Sequence, residues 1–245
     1  MQIATILPTP YLNLTQEDHY HMVLAHLLKS DAYLEFFREK AERGDMLIMD
    51  NGIVERGIPL SMRRLLILAA EVGATELVLP DCLNDSEQAL IRGLEAIRSW
   101  NGEVDLIAVP QGKSLEDWLR CLNQMLEWPV KTIGISRFMC SIVGPRINLL
   151  KAAPQLLESD KNIHLLGSPG ISDELLDIHW EYGERIRGVD SGIAAIYAQA
   201  DLAMVYGVKK PILELDFDSD RLDRGLLIRN IRYWLHLCGK GGGPK

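Results

Sequence analysis

The stretch "IATILPTPYLNLT", residues 3–15, separates the two α/β folds open to this chain. An apolar run rich in β-branched residues stops at Pro8, and the turn that follows, "PTPYLNLT", holds no glycine. A strand of this kind opens either an open, doubly wound sheet or a closed barrel. The open sheet usually places a glycine-rich phosphate turn after its first strand. The turn here favours the barrel.

Similar runs recur along the chain: "MLIMDNG" (46–52), "ELVLPDC" (76–82), "DLIAVPQG" (105–112), "TIGIS" (132–136), "IHLLGSPG" (163–170), "IRGVDSG" (186–192) and "LAMVYG" (202–207). Their apolarity is continuous rather than alternating, which marks parallel strands buried on both faces. Helical patterns lie between them. "EDHYHMVLAHLLKSDAYLEFFREKAERG" (17–44) reads as one helix before the second strand. "SMRRLLILAAEVG" ends at a glycine, as helices often do, and "SLEDWLRCLNQMLEW" opens with a capping box. The expected fold is a single-domain α/β (β/α)8 barrel of the TIM type over residues 1–238, with 239–245 a flexible tail. A length of 245 residues suits it.

Cys82, Cys121, Cys140 and Cys238 form no C-x-x-C pair, so neither a zinc knuckle nor a disulfide framework is expected. His19 and His21, read on a helix, do not share a face and are not expected to bind metal. His164 reads as a core histidine. The first residues lack a basic region and a cleavage site, and no run is long enough to span a bilayer, so cytoplasm is the expected location. A net charge of −8 weighs against a broad nucleic-acid surface.

Polar residues end the apolar runs: Asp50, Asp81, Gln111, Ser136, Ser168 and Asp190. In a parallel barrel these ends face one rim, where active sites are built. Strand-end Asp is also a common turn former, but Gln111 has no turn preference to explain it. Carboxylates across a pocket suit glycosidic chemistry. Asp, Gln and backbone N–H groups together suit the edge of a purine.

The series "MDNG", "LPDC", "VPQG", "IGIS", "HLLGSP" and "RGVDSGIAAIYA" resembles, in order and spacing over about residues 46–200, the tRNA-guanine transglycosylases. The resemblance implies a modified (β/α)8 barrel and retaining base exchange. Asp190 would be the nucleophile at C1′ and Asp50 the proton-transfer group. Asp81 would read the guanine N–H edge and Gln111 its O6. Asn51, Gly134, Ile135 and Gly167 would line the base pocket. The family's zinc subdomain is absent. The chain therefore looks most like the shortened phage and bacterial branch that exchanges guanine in DNA for a 7-deazaguanine.

That resemblance implies a glycosyltransferase (pentosyltransferase) with no cofactor and no metal, acting on DNA and a free 7-deazaguanine base. In a phage it would work in the host cytoplasm, as a homo-oligomer or with a helper protein. A tRNA-directed enzyme and a nucleoside or N-glycoside hydrolase are the alternatives. Arg137 and Lys113 near the rim, with Arg224 and Arg232 on a basic stripe of the last helix, are the nucleic-acid-binding candidates.

Overall fold

The computed structural model describes residues 1–240. Most of the tail expected at 239–245 lies outside the described residues. Eight parallel strands form one sheet in the order β1-β8-β7-β6-β5-β4-β3-β2. They are β1 (Gln2–Thr5), β2 (Tyr20–Leu24), β3 (Met46–Asp50), β4 (Glu76–Val78), β5 (Asp105–Ala108), β6 (Thr132–Ser136), β7 (Asn162–Leu166) and β8 (Ile186–Ser191). The order is circular, and β1 lies beside β2. The chain is a single-domain (β/α)8 TIM barrel.

Two elements differ from the sequence reading. "YHMVL" (20–24) is a strand, not the start of a helix, and all five residues are buried. A short apolar run carries too few residues for its period to separate strand from helix. The run at 202–207 is not a strand. With β2 in place the barrel already holds eight, and residues 201–223 instead pass over the barrel mouth as an irregular segment.

The helices form where caps and spacing indicate. Ser61, Asp85, Ser114 and Asp223 each accept a hydrogen bond from the backbone N–H three residues on. The helix Met62–Val72 ends at Gly73, whose φ of 75° is the left-handed conformation that glycine adopts without strain. The stretch between β1 and β2 is a 3-10 helix, Thr9–Thr15, held by Pro8 and Pro10 rather than by α-helical bonds. No helix among the described residues is long and apolar enough to cross a membrane.

Strand parity sorts the side chains into two sets. One parity points outward under the helices: Ile133 and Ile135 of β6, Leu47 and Met49 of β3, and Val189 of β8 are fully buried there. The other parity fills the barrel, with Glu76 and Thr132 near the bottom and Met22, Val78, Val109 and Leu166 below the mouth. Strand β8 is irregular. Ile163 pairs with Ile186 but His164 pairs with Gly188, so Arg187 is an extra, bulged residue. The bulge lets Arg187 and Gly188 both face inward.

One buried ion pair braces the upper rim. Arg146 is fully buried and donates to both oxygens of Glu174, and to the carbonyls of Ile135 and Leu166 at the ends of β6 and β7. Burial would raise the Glu174 carboxyl, but the guanidinium overrides it and holds Glu174 below the usual carboxylate range.

Candidate active site

The C-terminal ends of the strands open into a cavity of about 570 Å³. Asp50, Asn51, Asp81, Gln111, Arg137, Gly167 and Asp190 all line it. These residues lie as much as 140 positions apart, and the parallel topology alone brings them together. Gly134 and Ile135 do not line it. Gly134 sits beneath the floor, where a Cβ would come within 2.8 Å of Leu166 Cδ1, and Ile135 points outward to the helices. Of the expected nucleic-acid-binding set only Arg137 lines the cavity. Lys113, Arg224 and Arg232 are exposed elsewhere.

The three carboxylates have unlike surroundings. Asp50 ends β3 and receives one backbone bond, from Gly52 N at 2.7 Å. Burial, followed by the charges of Glu55, Asp190 and Asp81, pushes its carboxyl up to about 8. Asp81 is buried and bonded on both oxygens: Asn51 Nδ2 donates to Oδ1 at 2.8 Å and Gln111 Nε2 donates to Oδ2 at 2.6 Å. Burial raises its carboxyl and these two amides oppose the shift. Asn51 is saturated, since its second N–H goes to Leu79 O and its oxygen accepts from Ile53 N. Gln111 Oε1 accepts from Asn84 N. The Asp81–Asn51–Gln111 group is thus a closed, rigid wall.

Asp190 is held from below. His164 Nε2 lies 2.9 Å from its Oδ1, and Gly167 N donates to the same oxygen at 3.2 Å. Among the described residues Oδ2 has no protein partner within hydrogen-bond distance. A carboxylate only accepts, so His164 Nε2 carries a hydrogen and Nδ1 is the acceptor. Tyr20 O–H, 2.7 Å away, donates to Nδ1. Burial raises the Tyr20 phenol well above its ordinary value, which keeps that hydrogen in place. Arg187 Nε donates to the Tyr20 oxygen at 3.3 Å, and its terminal nitrogens bind Glu76, which also accepts from Thr132. A single hydrogen-bonded file therefore runs up the barrel: Glu76, Arg187, Tyr20, His164, Asp190. Gly188 makes room for it, since a Cβ there would lie within 2.7 Å of the Tyr20 ring.

Sequence reasoning missed Tyr20, Glu76 and Arg187, and also Glu55 and Lys210, which line the cavity. Strand parity could have found part of the file, since His164 sits two residues before the end of β7 with its side chain inward. Tyr20 was hidden by the helical reading of its strand and Arg187 by the bulge. Nothing local marks Lys210. Outside the cavity, His19 and His21 both contact Asp45, which Arg43 also binds. Among the described residues no group of three or more His, Cys, Asp or Glu could hold a metal ion.

No protein-family model matches this chain, and no curated protein matches it. Solved structures do. A putative dihydrodipicolinate synthetase from Pseudomonas aeruginosa is 14% identical, covers 78% of this chain and 71% of its own, and has a TM-score of 0.50. CdNal from Clostridium difficile, solved in complex with mannosamine, is 12% identical over 79% of this chain and 71% of its own, at 0.49. N-acetylneuraminate lyase from Mycoplasma synoviae is 14% identical over 78% and 68%, at 0.47. At such identities the likeness bears on the barrel fold.

The expected family does not stand against these findings. The solved structure matched at a TM-score of 0.50 is a putative dihydrodipicolinate synthetase, not a tRNA-guanine transglycosylase. The glycosyltransferase activity, the exchange of guanine in DNA and the tRNA-directed and hydrolytic alternatives fall with it. The physical reason lies in the barrel itself. Any (β/α)8 chain repeats an apolar run, a polar strand end and a small-residue turn at similar spacing. Six such motifs in order record the architecture and leave the chemistry open.

Proposed function

We propose that this barrel is an enzyme that moves protons on a small polar substrate, in a reaction of the lyase or isomerase type. Asp190 is the base and Asp50 the acid. One observation carries the reading: the two carboxylates line one cavity in unequal surroundings. Asp50 has a single neutral donor and neighbouring negative charge, which favour its protonated form near neutrality. Asp190 has two donors on one oxygen and leaves the other to the cavity. A carboxyl held protonated by burial suits the acid, and a donor-held carboxylate with one oxygen open to the cavity suits the base.

The step balances. Asp190 takes a proton from the substrate while Asp50 delivers one to the departing or receiving atom, and the total charge of the pair is unchanged. The Asp81–Asn51–Gln111 wall orients the substrate. No lysine stands on any of the eight strands. The cavity's lysine, Lys210, comes from the irregular segment at the rim, and we read it as a binding group rather than a nucleophile.

The test is deuterium exchange. A panel of small oxo acids, hydroxy acids and amino sugars is incubated with the protein in D2O and followed by proton NMR. A substrate C–H signal should decay with the parent protein and at least about 100-fold more slowly with Asp190→Asn or Asp50→Asn, the lower end of what one acid–base group contributes. Decay at the parent rate in Asp190→Asn would overturn the reading.

A further inference from the structure

The acid–base pair leaves two cations at the cavity mouth without a task. Arg137 follows β6 directly, and its guanidinium lies over the Phe138 ring, with Cζ 4.3 Å from the centroid. Lys210 reaches the same cavity from residues 201–223. Gly167 makes the room for Arg137. Its φ is 69°, and a Cβ there would come within 2.6 Å of Arg137 Cδ and 3.0 Å of Nε.

Both cations are half-buried, yet among the described residues neither side chain donates a hydrogen bond or forms an ion pair within 4 Å. The other half-buried or buried arginines do otherwise: Arg146 binds Glu174, Arg187 binds Glu76, and Arg92 and Arg185 donate to backbone carbonyls. Desolvated cations normally find a partner, because an uncompensated charge out of water is costly. Here the two also oppose each other. Burial first, then the charge of Arg137, lowers the Lys210 ammonium to about 8, and burial lowers Arg137 as well. Asp190 and Glu55 favour the Arg137 charge from beyond contact distance.

We propose that Arg137 and Lys210 form a subsite for the phosphate group of a small phosphorylated substrate, above the floor that holds Asp50 and Asp190. The assignment of the reacting end rests on the acid–base reading; the subsite itself does not. A dianion relieves the repulsion between two cations that line one cavity, which a single carboxylate does only in part. The planar fork of arginine and the point charge of lysine are both suited to phosphate oxygens. The substrate is small because the site is a 570 Å³ cavity in a chain of net charge −8, which repels a polyanion.

Calorimetric titration at low salt tests the subsite, with inorganic phosphate as the probe. The parent protein should bind phosphate, and Arg137→Ala and Lys210→Ala should each weaken binding about tenfold, with melting temperatures near the parent's. Arg137→Lys should bind between the two. Lys113→Ala should bind as the parent does, and Asp190→Asn at least as tightly. Three results would overturn the proposal: no heat at tens of millimolar phosphate (roughly the weakest useful affinity for a charge-assisted site), equal affinity in the alanine variants, or an Arg137-dependent single-stranded oligonucleotide complex that phosphate does not displace. The two readings fail separately. Phosphate binding with Asp190-independent exchange removes the acid–base assignment alone. Asp190-dependent exchange without phosphate binding removes the subsite alone.

Discussion

A single phenol decides which nitrogen of His164 carries a hydrogen. Tyr20 donates to Nδ1, so Nε2–H is left to point at Asp190. Tyr20→Phe removes that donor and also the oxygen that Arg187 Nε binds. Two buried polar groups lose their partner, at about 1–3 kcal/mol by urea denaturation. The His164 ring ¹⁵N resonances should also shift, because nothing then holds the tautomer. An unchanged ring spectrum in Tyr20→Phe would mean that the phenol does not set it. Asp190→Asn acts at the same scale but differently. The amide keeps the shape, loses the acceptor at Oδ2 or Oδ1 and cannot act as the proposed base.

Among the elements, the ends of β6 and β7 are tied together by the Arg146–Glu174 pair as well as by their own ladder. Arg146 joins the carbonyls at both strand ends to one carboxylate, and all of this is out of water. Arg146→Ala leaves Glu174 buried and unpaired, and should cost about 3–5 kcal/mol in equilibrium unfolding. The double variant Arg146→Met with Glu174→Leu should recover most of that loss, since the buried charge goes together with its partner. A double variant no more stable than Arg146→Ala would show that the hydrogen bonds to the strand ends, not the charge balance, matter. The bulge at Arg187 is the second device at this scale. It turns two successive residues of β8 inward and so connects Asp190, at the top of the strand, to Glu76 at the bottom of the barrel.

For the molecule as a whole, burying the Asp50 carboxyl is a cost to stability that depends on pH. Its folded-state value lies near 8 against an ordinary 3.8. Between those values the folded protein binds the proton and the unfolded chain does not. This group's contribution is therefore fully present below about 4 and is lost as pH rises through about 8, at up to about 1.4 kcal/mol per pH unit. Asp50→Asn cannot titrate. The stability difference between Asp50→Asn and the parent should grow in the variant's favour from pH 5 to pH 8, read as the gap between their urea midpoints. A gap that does not change with pH would show that Asp50 is not held protonated by the fold.

The amino-acid order alone carries the repeating strand and helix units, their caps, and the strand-end residues Asp50, Asp81, Gln111 and Asp190. These are local properties: apolar runs, capping side chains and turn-forming ends act over a few residues. It misread β2, because five apolar residues satisfy either period, and it placed an extra strand at 202–207. That Asp81, Asn51 and Gln111 close on one another, that Tyr20 and Arg187 stand beneath Asp190, and that Arg137 and Lys210 line one cavity unpaired follows only from the folded barrel. Those facts depend on which inward positions of different strands share a level in the barrel. Strand tilt, one bulge and the path of an irregular segment set that level, and none of them leaves a periodic trace in the chain.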